Sequence, residues 1–253
     1  MLTRARTIRR QRLRSDAPSM DMLKQNAILS HLQGSDAAEV VELGELVEMQ
    51  VKYEVYEADE AIREVFFPLE AVLSVVTQMK NGDMIEVGTI GREGTSGIPF
   101  LMGASTTAND CFCQVPGRAI KIQSEHFHRL VGTNQTFREL LNRYLQAYVN
   151  FLGQLAGCNR LHSVYERCAR WLLLSHDRVN HDEIHLTHEY LAMMLGSRRS
   201  GVTIALATLQ RAGYIEYAHG CIRILERAGL EETTCECYGI ARAQFSALMP
   251  PLH

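Results

Sequence analysis

Between Thr133 and Ala156, apolar residues recur at three-and-four spacing: Phe137, Leu140, Leu141, Tyr144, Leu145, Tyr148, Phe151, Leu152 and Leu155, with no proline among them. That period predicts one amphipathic helix, about 35 Å long at 1.5 Å per residue. Upstream the pattern is shorter and closer to alternation. Segments rich in Val, Ile and aromatics at Val47–Tyr56, Glu64–Phe67, Ala71–Gln78, Met84–Ile90, Cys111–Val115 and Arg118–Gln123 read as strands. Turn signals such as Asn81-Gly82-Asp83 and Pro116-Gly117 separate them. Many short strands at close spacing predict a compact barrel or sandwich of about 100 residues. A short helix is expected at Met22–Leu32, and another around Phe127, Leu130 and Val131. Gly91-Arg92-Glu93-Gly94-Thr95-Ser96-Gly97 forms a glycine-rich turn ahead of Ile98–Leu101.

Beyond the long helix the local signals sharpen. Ser163 and Glu166 form a capping-box pattern before Cys168, Ala169, Trp171, Leu172 and Leu173. Thr187 is placed to cap a helix holding Leu191, Ala192, Met194 and Leu195; Gly196 interrupts it. Ser197 is then placed to cap a second helix holding Val202, Ile204, Ala205, Leu209 and Ala212, which Gly213 ends. Tyr214–Tyr217 and Cys221–Leu225 alternate around His219-Gly220, a hairpin. Two helices joined by a glycine turn and followed by a small hairpin predict a winged helix-turn-helix. Its second helix has Val202, Ala205 and Leu209 for the core, with Arg198, Arg199, Ser200 and Thr203 projecting outward. Arginine can reach guanine through two hydrogen bonds, and hydroxyls can reach a base edge or a phosphate. Tyr190–Ile215 holds no Asp or Glu to repel a nucleic-acid backbone.

Composition changes this picture little. The chain has 253 residues, 46% hydrophobic and 22% charged, with a formal net charge of -3, ordinary values for one or two globular domains. The charge is unevenly spread: Arg4, Arg6, Arg9, Arg10, Arg12, Arg14 and Lys24 face only Asp16 and Asp21 near the start. Such a basic leader is either solvated or available to phosphates. No long apolar run or signal-peptide core accompanies it, so a cytoplasmic protein without a membrane partner is expected. The cysteines, Cys111, Cys113, Cys158, Cys168, Cys221, Cys235 and Cys237, number seven, which predicts reduced thiols rather than a disulfide scaffold. Cys111-Phe112-Cys113 and Cys235-Glu236-Cys237 are spaced more closely than usual metal-ligand pairs, and His126, His128, His176, His181, His185 and His188 sit in polar stretches. No metal and no cofactor are expected.

The run Leu186-Thr187-His188-Glu189-Tyr190-Leu191-Ala192-Met193-Met194-Leu195-Gly196-Ser197-Arg198-Arg199-Ser200-Gly201-Val202-Thr203, followed by Leu209–Ile215, resembles the helix-turn-helix of the Crp/Fnr family of bacterial regulators, typified by the catabolite activator protein. The resemblance covers about residues 22 to 230. It implies an α+β chain with an N-terminal cyclic-nucleotide-binding-type β-roll, a long dimerisation helix and a C-terminal winged helix-turn-helix. The corresponding division is a basic leader at 1–21, the roll at 22–131, the dimerisation helix at 132–158, the DNA-binding domain at 159–230 and an extension at 231–253.

In this resemblance Gly196 is the turn glycine and Arg199 falls on the base-reading arginine. Ser200 stands in place of a glutamate and Gly201 in place of a threonine, so the usual half-site need not be kept. The DNA-contacting set implied is Thr187, Ser197, Arg198, Arg199, Ser200, Thr203 and His219. A dimer seam is implied at Leu140, Leu141, Tyr144, Tyr148, Phe151 and Leu155, burial against the chain's own barrel being the alternative. Gly94, Thr95, Ser96, Gly97, Thr106 and Thr107 occupy the effector cassette. That cassette is degenerate: a threonine replaces the arginine for a cyclic phosphate, and no acid stands at the ribose position, so cyclic AMP is not the expected signal. Oxygen sensors of the family use N-terminal cysteines, and here none precedes Cys111.

The expected activity is therefore transcription regulation by a homodimer on a pseudo-palindromic site in double-stranded DNA. RNA polymerase and an unidentified small molecule are further candidate partners. The alternatives are a sensor of another small molecule or of thiol oxidation, and an oligomerisation module that does not bind DNA. An enzyme is disfavoured, because Gly91–Gly97 lacks the order of the nucleotide-binding glycine motifs.

Overall fold

The computed structural model describes residues 15–179 and 181–248. Arg4, Arg6, Arg9, Arg10, Arg12 and Arg14 of the basic leader lie outside the described residues. The described chain opens with β1 (Ser15–Asp16), α1 (Met20–Leu23), a 3-10 turn (Leu29–His31) and α2 (Gly34–Leu43). The single helix expected over Met22–Leu32 is broken at Asn26. Its side-chain oxygen accepts from the Ile28 and Leu29 amides, while its amide nitrogen donates to the carbonyls of Pro68 and Gly94. A local side-chain turn of this kind competes with helix, and here it also ties the segment to the roll.

The roll follows as β2 (Gly44–Met49), β3 (Glu54–Tyr56), β4 (Glu64–Pro68), β5 (Val72–Gln78), β6 (Met84–Ile90), α3 (Ile98–Leu101), β7 (Asp110–Val115) and β8 (Gly117–Gln123). The strand expected over Val47–Tyr56 is two, because the chain turns at Lys52, whose φ is +67°. Two antiparallel sheets form, in the orders β1-β2-β8-β4 and β3-β7-β5-β6. Val47, Met49, Val65, Phe67, Leu73, Val76, Ile120 and Ile122 from both sheets join one core.

Next come α4 (Ser124–Thr133) and α5 (Gln135–Leu161). Asn134 separates them by accepting from the Phe137 amide at 2.8 Å, an N-cap that starts the long helix afresh. With 27 residues, α5 is about 40 Å long. Its predicted stripe does not stand free. Leu140, Leu141, Tyr144, Tyr148, Phe151 and Leu155 are all buried within the one chain. Glycines let the roll approach them closely: a Cβ at Gly94 would lie 2.1 Å from the Tyr144 ring, and one at Gly88 would lie 2.4 Å from the Tyr148 hydroxyl. The stripe is thus used inside the chain rather than left as an open seam. The exposed residues of α5 include Asn142, Gln146, Val149, Gly153, Ala156 and Arg160, together with Arg143 and Leu161 and several near its start.

The C-terminal part comprises α6 (Val164–His176), β9 (Glu183–His185), α7 (His188–Met194), α8 (Arg199–Arg211), β10 (Ile215–Ala218), β11 (Cys221–Ile224), α9 (Arg227–Thr233) and α10 (Cys237–Leu248). The capping box of Ser163 and Glu166 is present at the start of α6. Strand β9 adds to the expected hairpin, giving a sheet ordered β10-β11-β9. The 231–253 stretch is not a plain extension. Within it α10 packs along α5, and Phe245 meets the rings of Tyr144 and Phe151. Among the described residues no helix is long and apolar enough to cross a membrane.

Candidate nucleic-acid interface

Thr187 starts α7, its hydroxyl accepting from the Tyr190 amide at 3.1 Å. Leu191, Ala192 and Met194 are buried, and the chain reverses at Gly196, whose φ is +54°. A side chain there would be strained by conformation, and its Cβ would lie 2.4 Å from Ile85 Cδ1, so the turn favours glycine and Ile85 would have to shift for anything larger. Ser197 does not cap α8. Arg198 occupies the N-cap position without a side-chain hydrogen bond, and no acid lies in the first turn. The positive end of α8 is consequently uncapped, with Arg198, Arg199 and Ser200 exposed around it.

The inner face of α8 is Val202, Ala205, Leu206 and Leu209, all buried. Thr203 and Ile204 lie on the outer face, Ile204 66% exposed although the periodicity groups it with the apolar set. Thr203 Oγ1 is 2.9 Å from His188 Nδ1, and the His188 ring lies against Tyr217 with centroids 4.4 Å apart. Partial burial and the Arg199 charge lower the pKa of His188. The predicted freedom from acids holds within Tyr190–Ile215 but fails one residue upstream. Glu189 Oε1 is 3.3 Å from Arg199 Nη1, an ion pair in which both side chains are largely exposed.

The hairpin turns at His219 (φ +51°) and Gly220 (φ +76°), two consecutive left-handed residues of the kind that tight antiparallel hairpins favour. His219 is exposed at the tip. Arg223 on β11 pairs with Glu183 at 2.5 Å and approaches Glu216 at 3.7 Å. Arg223 is therefore outnumbered by carboxylates on this sheet.

The helix-turn-helix also leans on the roll. Tyr190 contacts Phe112 edge-on, and the Ser74 hydroxyl lies 3.3 Å from Met194 Sδ. Trp171 on α6 donates to Glu86 Oε1 at 3.0 Å, while Ser74 donates to Glu86 Oε2 at 2.6 Å. Burial pushes the Glu86 carboxyl up to about 7, against the pull of these two donors and of Arg170 and Arg178. Arg178 donates to Glu93 Oε1 from Nε and Nη2 at 2.9 and 2.7 Å, and to the Thr89 hydroxyl at 2.8 Å. Sequence patterns carry no sign of the Trp171–Glu86 and Arg178–Glu93 ties, since each joins residues 85 positions apart.

The six cassette positions fall into two groups. Thr95 and Ser96 are fully buried. The Thr95 hydroxyl donates to the Phe66 carbonyl at 3.0 Å, and the Ser96 hydroxyl accepts from the Phe66 amide at 2.9 Å. Gly94 and Gly97 face Tyr144 and Phe127 so closely that a Cβ would clash at either. Thr106 is exposed in the following loop, and the Thr107 carbonyl accepts from the Asp59 amide. A cavity of about 320 Å³ lies nearby, lined by Arg92, Glu93, Asp177, Arg178 and Arg242 among others.

The two Cys-x-Cys pairs differ. Cys111 and Cys113 are buried on β7, where burial raises both thiols, Cys113 to about 12. Cys235 and Cys237 instead meet Cys158 and His162. The noted histidines do not form one group: His176 pairs with Asp182, His128 lies on Phe100 and His188 is held by Thr203.

A family model described as a Crp-like helix-turn-helix domain matches residues 166–233. No curated protein matches the sequence. Solved structures are similar over most of the chain. A putative transcriptional regulator of the Crp/Fnr family from Eubacterium rectale is 16% identical, covering 83% of this chain and 98% of its own, with a TM-score of 0.63. FixK2 from Bradyrhizobium japonicum is 14% identical, covering 76% and 98%, with a TM-score of 0.64. The c-di-GMP responsive global regulator CLP from Xanthomonas campestris is 12% identical, covering 76% and 99%, with a TM-score of 0.57. The chain thus has the fold of the Crp/Fnr regulators and carries a Crp-like helix-turn-helix domain.

Proposed function

We propose that this protein is a sequence-specific DNA-binding transcription regulator, not an enzyme, and that it acts as a homodimer. The observation that carries the reading is the uncapped, exposed start of α8, with Arg198, Arg199, Ser200 and Thr203 at the end that such helices insert into the major groove. Arg199 reads a base, and Ile204 is placed for a thymine methyl group. Ser197, Thr187 and the His219 tip contact the phosphate backbone. Approach to DNA requires Arg199 to exchange Glu189 for a base. That exchange is easy because a pair this exposed is worth about 0 to 1 kcal/mol.

The dimer reading rests on the outward face of α5. Asn142, Gln146, Val149, Gly153, Ala156 and Arg160 recur at alternating four-and-three spacing, the seam period of paired helices. Val149 is 50% exposed at its centre, and Gly153 and Ala156 allow close approach. This seam supersedes the buried stripe. In two-fold assemblies the recognition helices enter half-sites about 34 Å apart, which demands a pseudo-palindromic operator.

Cyclic AMP is not the signal in this reading, because the Thr95 and Ser96 hydroxyls are committed to Phe66 and the cassette glycines to Tyr144 and Phe127. A small-molecule effector and RNA polymerase remain partners to be sought. The functional division follows roll (22–131), long helix (132–158) and DNA-binding part (159–230). Selection of genomic fragments on the full chain, followed by sequencing, tests the assignment: a two-fold symmetric site is expected, and the absence of any selected site overturns it. Val149→Arg is expected to give a monomer in analytical ultracentrifugation.

A further inference from the structure

Four ligand-type atoms converge at the corner between α5 and α6. Cys158 lies in the last turn of α5, and His162 is that helix's C-cap, four residues on. Cys235 lies in the turn after α9, and Cys237, beyond Glu236, opens α10. The three cysteines are buried, His162 is half-buried, and all four ligand atoms lie within 4.8 Å of one another. We propose that Cys158, His162, Cys235 and Cys237 bind one divalent zinc-type ion in a closed tetrahedral site that fastens α10 to the end of α5.

The spacing fits a single tetrahedral ion. With metal–sulfur bonds of about 2.3 Å and metal–nitrogen bonds of about 2.0 Å, sulfur atoms lie about 3.8 Å apart and sulfur and nitrogen about 3.5 Å apart. Here Cys158 Sγ and Cys235 Sγ are 3.5 Å apart, and Cys237 Sγ and His162 Nδ1 are 3.5 Å apart. A disulfide would bring two sulfurs to about 2.05 Å and leave the other two groups without a purpose. A multi-iron cluster would need its ligands spread around several metal atoms.

The surroundings fit as well. His162 presents Nδ1 to the cluster while its Nε2 lies 3.1 Å from Glu236 Oε2, the carboxylate–histidine arrangement that orients a ligating imidazole. Gln154 donates to Cys237 Sγ at 3.0 Å, a hydrogen bond suited to a metal-bound thiolate. Charge supplies a separate argument. Arg167 and Arg170 are buried on α6 beside the cluster, and the Nε of each lacks a hydrogen-bond partner. Three thiolates, a neutral His162 and a divalent ion give the filled site a single negative charge to face those cations. With four protein ligands no coordination position stays open, which makes the site structural rather than catalytic. Sequence alone hides it, because the Cys-x-Cys pair supplies two ligands and the others lie about 75 residues upstream.

The test uses the full chain, reduced, loaded with zinc or with cobalt(II) and freed of excess metal by gel filtration. One zinc per chain is expected, and the cobalt form should show the visible bands of a tetrahedral ion with a thiolate charge-transfer band. Cys235→Ser/Cys237→Ser should fall to background metal, whereas Cys221→Ser should keep one equivalent. Should the double variant fail to fold, His162→Cys keeps the test open: it should retain one cobalt with a stronger charge-transfer band. Glu236→Gln should weaken metal affinity about tenfold. No bound metal after loading, a full equivalent in the double variant, an unchanged spectrum in His162→Cys, or iron with acid-labile sulfide would each overturn the proposal.

Discussion

The turn at Gly91–Gly97 and the start of α8 both present small and hydroxyl-bearing residues next to arginines, yet they are in opposite physical states. In the turn, Thr95 and Ser96 are fully buried with their hydroxyls bonded to Phe66, and Arg178, two residues past the end of α6, closes on Glu93. At α8, Arg198, Arg199 and Ser200 are exposed and the helix end has no side-chain cap. A polar group already satisfied inside the protein contributes to folding; one left open at a helix end is available to a partner. The comparison therefore assigns the first region to holding the roll and the C-terminal part together, and it underlies the recognition role proposed for the second.

Four changes would break or sharpen that contrast. The largest effect is expected for Arg178→Met, which leaves the half-buried Glu93 without its cation and should cost about 3 kcal/mol in urea denaturation. Next is pH. The Glu86 carboxyl sits at about 7 in the folded chain against about 4.5 unfolded, so the folded state holds its proton more tightly. Stability from this group is fully present below about pH 4.5 and is lost as pH rises toward 7, in total about 3 kcal/mol. Glu86→Gln should flatten that slope, as followed by thermal unfolding across the range. Thr95→Val should cost about 1 to 2 kcal/mol of stability and leave intrinsic DNA affinity unchanged, since its hydroxyl serves only the roll. The smallest effect is expected for Glu189→Gln, which frees Arg199 and should tighten DNA binding by under 1 kcal/mol in fluorescence anisotropy.

Much of this architecture was legible because local rules agreed with the fold. Strands β4 to β8 are short runs rich in Val, Ile and aromatic residues bounded by turn residues, Ser163 and Glu166 form their capping box, and Gly196 and Gly213 mark the ends of α7 and α8. The misses share a cause: they depend on distant partners. Asn26 breaks a helix because Pro68 and Gly94 take its amide protons. The α5 stripe has the period of a seam, but the roll and α10 cover it, and periodicity records which face is apolar without naming what covers it. Ser197 has the chemistry of a cap, yet helix α8 begins one residue later, with Arg198 in the cap position. Glu189 lies just outside the acid-free window and is brought back beside Arg199 by the turn itself.

The most direct test of the account is Arg199→Ala on the full chain, measured by fluorescence anisotropy against a genomic fragment selected by the parent protein, with thermal unfolding run alongside. The account predicts a loss of about 1 to 3 kcal/mol in specific binding, little change on unrelated DNA and an unchanged unfolding midpoint. Equal affinity of variant and parent for the selected fragment would contradict the placement of recognition at the start of α8.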